Sequence, residues 1–306
     1  MKAPLRLWQL VTLLVFLCLA TLAIVSQIRS GRRSTPAQLV RYLPDRPDGF
    51  VLFLDVDALR RGGVLDLLAG SRAVEEENYT AFVQETGFDY RLDLDLVVAL
   101  LQSNSVHILL RGRFDWTRLT GYARKSRGTC WNGFCSMPAN DAKRTISFFA
   151  LRNDVLALAV GGGKYEAQAL AEPVRPESDL SGDPVWLKVP TAALTSGSLP
   201  AGTRTFATAV RAAREIQLSL GVDRGRFRLS LDVDCEQPDD ATRIAAELES
   251  ATETLRRFIA REGKSPNPHD LSGVLTAGTF LRNGNRVQGQ WPIAREFLRA
   301  IATGTL

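Results

Sequence analysis

Histidine is almost missing from this chain: His107 and His269 are the two in 306 residues. Cysteine is scarce as well, with Cys18, Cys130, Cys135 and Cys235, and no second cysteine pair stands where a four-ligand zinc site would need one. No G-x-S-x-G, H-E-x-x-H or S-x-x-K occurs. These absences remove the common signatures of nucleophilic and metal-dependent hydrolysis. The expectation is a chain without catalytic residues, metal ligands or cofactor. Acid is missing from the first 33 residues, which hold five basic ones: Lys2, Arg6, Arg29, Arg32 and Arg33. Of 38 Lys and Arg, 33 therefore remain beyond residue 33, against all 33 Asp and Glu. The alkaline character belongs to the N-terminal flank. A neutral remainder argues against nucleic acid as a partner, since such a domain carries its own basic stripe.

Charge, proline and glycine are all absent from Leu10 to Val25. Extended to Leu7 and Ile28, the apolar run has the length of a helix that crosses a ~30 Å hydrocarbon layer. A cleaved signal peptide would have a shorter apolar region closed by a small-x-small site, and Val15, Phe16 and Leu17 are too bulky for a lipoprotein cleavage box before Cys18. The reading is an uncleaved signal anchor, with the lipid bilayer as partner of residues 7–28. Basic residues flank the run on both sides, so charge alone does not orient it.

Orientation comes from Thr129-Cys130-Trp131-Asn132-Gly133-Phe134-Cys135. Asn-Gly favours a type I′ turn, because both central residues need positive φ. In that register Trp131 faces Phe134 and Cys130 faces Cys135, in a non-hydrogen-bonded pair suited to a disulfide with Cα atoms about 4.5–6 Å apart. A disulfide implies an oxidising compartment. The expected location is a single-pass inner (cytoplasmic) membrane protein, N-terminus inside, with the remainder periplasmic or otherwise extracytoplasmic.

Along the chain, residues 1–33 read as cytoplasmic tip and transmembrane anchor, and 34–48 as a linker. Residues 49–172 form a first domain, 173–182 a Pro- and acid-rich linker, and 183–306 a second domain. Each half reads as one strand, a connection, then two hairpin–helix units. The initiating segments FLDVDALRRGG (Phe53 onward) and LKVPTAALTSG (Leu187 onward) resemble each other. The expected fold class is α+β: two similar domains with antiparallel sheets covered on one face by helices, ferredoxin-like in plan. The opening LP-x-x-P-x-G-F of Leu43–Phe50, the strand ending in Asp, and G-R-F-D-W-x-x-L of Gly112–Leu119 resemble bacterial signal-anchored families of unknown function with a duplicated ectodomain. The resemblance implies a membrane-tethered extracytoplasmic protein and no particular activity.

Other motifs have structural readings. Asp55-Val56-Asp57 and Asp232-Val233-Asp234 spell the D-x-D of metal-dependent glycosyltransferases. Asp57 is placed to cap a helix, however, and Asp232 and Asp234 fall on the polar face of an alternating strand. Cys235 takes the apolar phase of that strand and reads as a buried thiol. Asn267-Pro268-His269-Asp270 reads as a helix start, and His107 as a core or sheet-surface histidine. Gly161-Gly162-Gly163-Lys164 joins a strand to a helix. It is either a tight turn or, through Gly162, Gly163 and Lys164, a seat for an anion at a helix start. Trp131 and Phe134 flank the hairpin turn. Either they pack back on the sheet as a cross-strand pair, or they form an aromatic tip that contacts a protein, an envelope component or the bilayer surface. The functional expectation is a non-enzymatic binding or scaffold protein. The alternative is an envelope hydrolase whose Asp, Glu and Ser residues meet only in the fold.

Overall fold

Alternation and β-branched or aromatic content build the strands, and the strands join in one sheet. The computed structural model describes residues 34–65, 77–141, 143–176, 182–191, 206–223, 226–267 and 270–303. Residues 36–306 form one compact unit. Its strands are β1 (Phe50–Asp55), β2 (Leu94–Leu101), β3 (Val106–Gly112), β4 (Thr129–Trp131), β5 (Phe134–Pro138), β6 (Thr145–Arg152), β7 (Val155–Gly161), β8 (Val185–Val189), β9 (Glu215–Asp223), β10 (Arg226–Asp234), β11 (Thr279–Asn283) and β12 (Arg286–Ile293). They make a twelve-stranded antiparallel sheet in the order β11-β12-β10-β9-β8-β1-β2-β3-β7-β6-β5-β4. The helices are α1 (Pro36–Val40), α2 (Val56–Arg61), α3 (Glu77–Thr86), α4 (Tyr90–Asp93), α5 (Trp116–Lys125), α6 (Pro238–Arg261), α7 (Leu271–Thr276) and α8 (Arg295–Thr303), with a 3₁₀ turn at Glu166–Leu170.

The fold is thus mixed α and β around a large antiparallel sheet, as expected. Two separate sheets were expected, and here the structure differs. β1 pairs with β8, Phe53 opposite Trp186, and the Asp55 N–H donates to the Pro184 carbonyl at 2.7 Å. An apolar strand such as FVLFLD leaves costly unpaired backbone groups at an edge, and β8 satisfies them. Phe53 and Trp186 stack at 5.2 Å between centroids.

Helices cover both faces rather than one. On the first face Val51, Phe53, Leu96, Val98, Leu100, Leu109, Val155 and Trp186 pack under α1 and Leu170. On the second, α5 covers Cys135, Phe148 and Leu156 through Leu119 and Ala123. Farther along that face α6, α7 and α8 bury Ile216, Leu231, Val233, Val287 and Trp291. Leu59 and Val64, from the first half of the chain, pack in this last cluster, so the halves share core as well as sheet.

Local details refine the sequence reading. Asp55, not Asp57, caps α2, accepting from the Ala58 N–H at 2.8 Å. Asp57, two positions later, is already inside the helix and pairs with Arg60 and Arg61. The segment after β7 forms a 3₁₀ turn over Glu166–Leu170 in place of a longer helix. Pro292 lies in β12 opposite Arg228. The neighbouring β11 stops at Thr279 opposite Gln290, so position 292 has a strand on one side alone, where proline is tolerated. Asp270 caps α7; His269 and Pro268 lie outside the described residues. Asp232 and Asp234 do sit among polar partners, Gln288 for the first and Arg214 and Arg286 for the second. Among the described residues no helix is long and apolar enough to cross a membrane, and none of the groups of acids, His and Cys could hold a metal. Residues 7–28 lie outside the described residues.

Candidate functional site

The Asn-Gly hairpin forms as its chemistry requires. Asn132 and Gly133 have φ of 47° and 78°, both in the left-handed region of a type I′ turn. Trp131 stands opposite Phe134 and Cys130 opposite Cys135. The two cysteines form a disulfide with Cα atoms 4.1 Å apart, slightly closer than expected. This bond is consistent with an oxidising, extracytoplasmic setting.

Side-chain alternation splits the hairpin into two faces. The disulfide faces α5, with Cys135 fully buried and Cys130 Sγ 3.8 Å from the Thr120 carbonyl oxygen. Trp131 and Phe134 project from the opposite face. The disulfide thus anchors the tip to the core from behind while the rings are presented in front.

The rings then part company. Phe134 packs back, its centroid 6.0 Å from Phe149 and 5.7 Å from Tyr165. Trp131 remains 78% exposed, with no ring stacked on it among the described residues. Packing therefore accounts for Phe134 and leaves Trp131 unexplained.

Between the hairpin and the turn after β7 lies an open groove of about 620 Å³. One wall is Thr129, Trp131, Asn132, Phe134 and Ser136; the other is Lys164, Tyr165 and Gln168. Trp131, Phe134 and Lys164, separated by some thirty residues, are thus brought together. Tyr165 is 57% exposed, and Lys164 Nζ lies 5.8 Å from its ring centroid. Sequence reasoning missed Tyr165 and Gln168. An aromatic residue at a strand exit was the available signal, and it is weak without knowledge of what the turn faces.

Gly162 and Gly163 are not in the groove lining. A Cβ at Gly163 would stand 3.0 Å from Glu166 Oε1, and one at Gly161 3.0 Å from Glu166 Cγ. Gly161 and Gly163 therefore make room for the chain's own carboxylate, while nothing stands within 4 Å of a Cβ at Gly162. Glu166 in turn reaches His107, with Oε2 3.7 Å from Nε2. His107 is buried, and desolvation pushes its pKa below the usual imidazole value, against the opposing pull of Glu166. Ser147, buried on the same face, accepts from the Ala167 N–H at 3.0 Å and so holds the 3₁₀ turn on the sheet. These groups position the Tyr165–Gln168 wall. Burial raises the Cys235 thiol pKa, in keeping with an inert side chain.

No family model and no curated protein matches this chain. Solved structures of TP0453 are similar at the level of backbone trace. Crystal form I aligns with 11% identity and a TM-score of 0.48 over 89% of this chain and 98% of that one. Crystal form III aligns with 11% identity and a TM-score of 0.47 over 88% and 98%.

Proposed function

We propose that this protein is a membrane-tethered, extracytoplasmic binding module, held by residues 7–28 and engaging its ligand in the groove between Trp131 and Tyr165. The observation that carries the reading is Trp131, a large ring left in water on a disulfide-clamped tip beside a second exposed ring. Isolated exposed apolar side chains are ordinary, but two aromatic rings lining one concavity mark a contact site. The reading favours binding over hydrolysis. A carboxylate acid–base pair needs one acid pushed upward, whereas Asp89 and Asp270 are both lowered by hydrogen bonds.

The resemblance to duplicated, signal-anchored families is part of this proposal. The first half contributes β1-β2-β3-β7-β6 and the second β8-β9-β10-β12-β11. Numbered within each half, and setting the β4–β5 hairpin aside, both orders are 1-2-3-5-4. Two copies of one unit joined through their first strands would produce this arrangement.

Photo-crosslinking in intact cells tests the site. A photoreactive residue at position 131 or 165 should give a discrete adduct. One at Gln290, on the polar face of the second half, should not. No adduct at 131 and 165, or the same adduct at all three positions, would reject the groove as the binding face.

A further inference from the structure

We infer that the groove takes an acidic saccharide, with Trp131 and Tyr165 as ring platforms and Lys164 as partner of the sugar's anionic group; this rests on the groove being the binding face. A pyranose has one face of C–H bonds and a rim of hydroxyls. The C–H face, polarised positive by the ring and hydroxyl oxygens, packs flat on the negative face of an aromatic ring. Trp131 offers such a face without a competing ring. The hydroxyl rim needs groups that both donate and accept, and Asn132, Gln168, Thr129 and Ser136 supply amides and hydroxyls along the walls. Lys164 is the one charged residue of the lining, so the charge complement is an anion. A volume of about 620 Å³ lies in the range of sites for small ligands.

The same residues fit two other occupants less well. A tip that inserts in a bilayer must bring apolar groups forward, and here insertion would drag Asn132 and Gln168 out of water without partners. An extended peptide would add to the free edge of β4, but that strand has three residues. Next to a two-residue turn, Trp131 pairs with Phe134 and Thr129 with Ser136, so Cys130 alone turns its backbone groups outward.

The test uses the full chain in detergent micelles and titration calorimetry. The probes are a tetrasaccharide of alternating hexuronate and N-acetylhexosamine, its carboxyl-reduced neutral form, and anionic phospholipid vesicles. The acidic sugar should bind about tenfold more tightly than the neutral one, the size of one charge-assisted hydrogen bond at a partly exposed site. Trp131→Ala should abolish binding of both sugars and Trp131→Phe restore part of it. Lys164→Gln should reduce the acidic sugar to the affinity of the neutral one. Equal affinity for the two sugars overturns the acidic assignment. Absence of sugar binding, or Trp131-dependent binding to vesicles in its place, overturns the saccharide. If Trp131 crosslinks in cells persist in that case, the groove remains a binding face with another ligand; if they are absent too, both readings fall.

Discussion

Replacing Trp186 tests whether the two halves of the sheet stand or fall together. This residue is fully buried where β1 meets β8, with its ring stacked on Phe53 at 5.2 Å and 11°. Truncating a buried Trp to Ala costs about 3–5 kcal/mol through lost transfer energy and the cavity left behind. One term opposes this: the Trp186 Nε1–H is buried with no hydrogen-bond partner among the described residues. Removing an unsatisfied donor recovers about 1–3 kcal/mol. Trp186→Ala should therefore destabilise by a net of about 2 kcal/mol, the centre of a range of roughly 0–4 kcal/mol. Trp186→Phe keeps the stacked ring, loses the orphan donor and should fall within about 1 kcal/mol of the parent. Native-state hydrogen exchange reads both effects. The slowest amides of β2 and β3 and those of β9 and β10 should report one common free energy, lowered equally by Trp186→Ala, because the β1–β8 seam breaks only when the unit unfolds globally. If the β9–β10 amides keep their protection while those of β2–β3 lose it, the halves are independent and the argument from a shared sheet and shared core fails. A Phe substitution as damaging as Ala would refute the weight given to the indole N–H.

Four further outcomes are expected. Cys130→Ser opens a bridge between residues five apart; chain entropy makes that bond worth about 2 kcal/mol, so melting should shift modestly while amides at the β4–β5 tip exchange faster. Thiol blocking before lysis, then mass spectrometry, should find the pair oxidised in native membranes; two blocked thiols would remove the support for an extracytoplasmic site. Asp89 is held at about 2, below the usual 3.8, chiefly by side-chain hydrogen bonds from Arg91, and Tyr79 beside it is raised to about 12, mainly by burial. The unfolded chain thus binds that proton first, so the stabilisation is complete above about pH 4 and disappears as pH falls toward 2. Melting curves across that window should flatten in Asp89→Asn. The buried His107 is shifted down by desolvation, with Glu166 opposing and Arg46 adding to it. Stability from its neutral form is full above about pH 6.5 and is lost as pH falls through the lowered value, a dependence that His107→Gln should remove from denaturation midpoints.

What could be read from the sequence was local. Asn132-Gly133 announced its turn through the positive φ both residues adopt. The alternation in Arg226–Asp234 sorted Phe227, Leu231 and Val233 into the core. Long-range pairing was not legible. The likeness of FLDVDALRRGG and LKVPTAALTSG suggested equivalent positions in two halves, and nothing in it announced that the two segments would pair with each other, Phe53 with Trp186 and Leu52 with Leu187. The groove was half legible for the same reason. Trp131 and Phe134 announce themselves beside a turn, but Tyr165 reaches Phe134 only because β6 and β7 lie between the two segments in the sheet.

The position of β1 imposes an order in time. A ribosome delivers Phe50–Asp55 early, and its partner on one side, β2, follows soon after. The other partner, Val185–Val189, comes after β7 has been made. Each of the hairpins β2–β3, β6–β7, β9–β10 and β11–β12 closes over a short stretch of chain and forms fast, whereas β1–β8 closes a long loop and forms late. Throughout that interval Val51 and Phe53 line an open, apolar strand edge, the kind that templates association with other chains. A nascent chain stalled after Gly161 should therefore self-associate through β1. Supplying the β8 segment in trans should cap it, which makes β8 a latch that ends the vulnerable stage of synthesis.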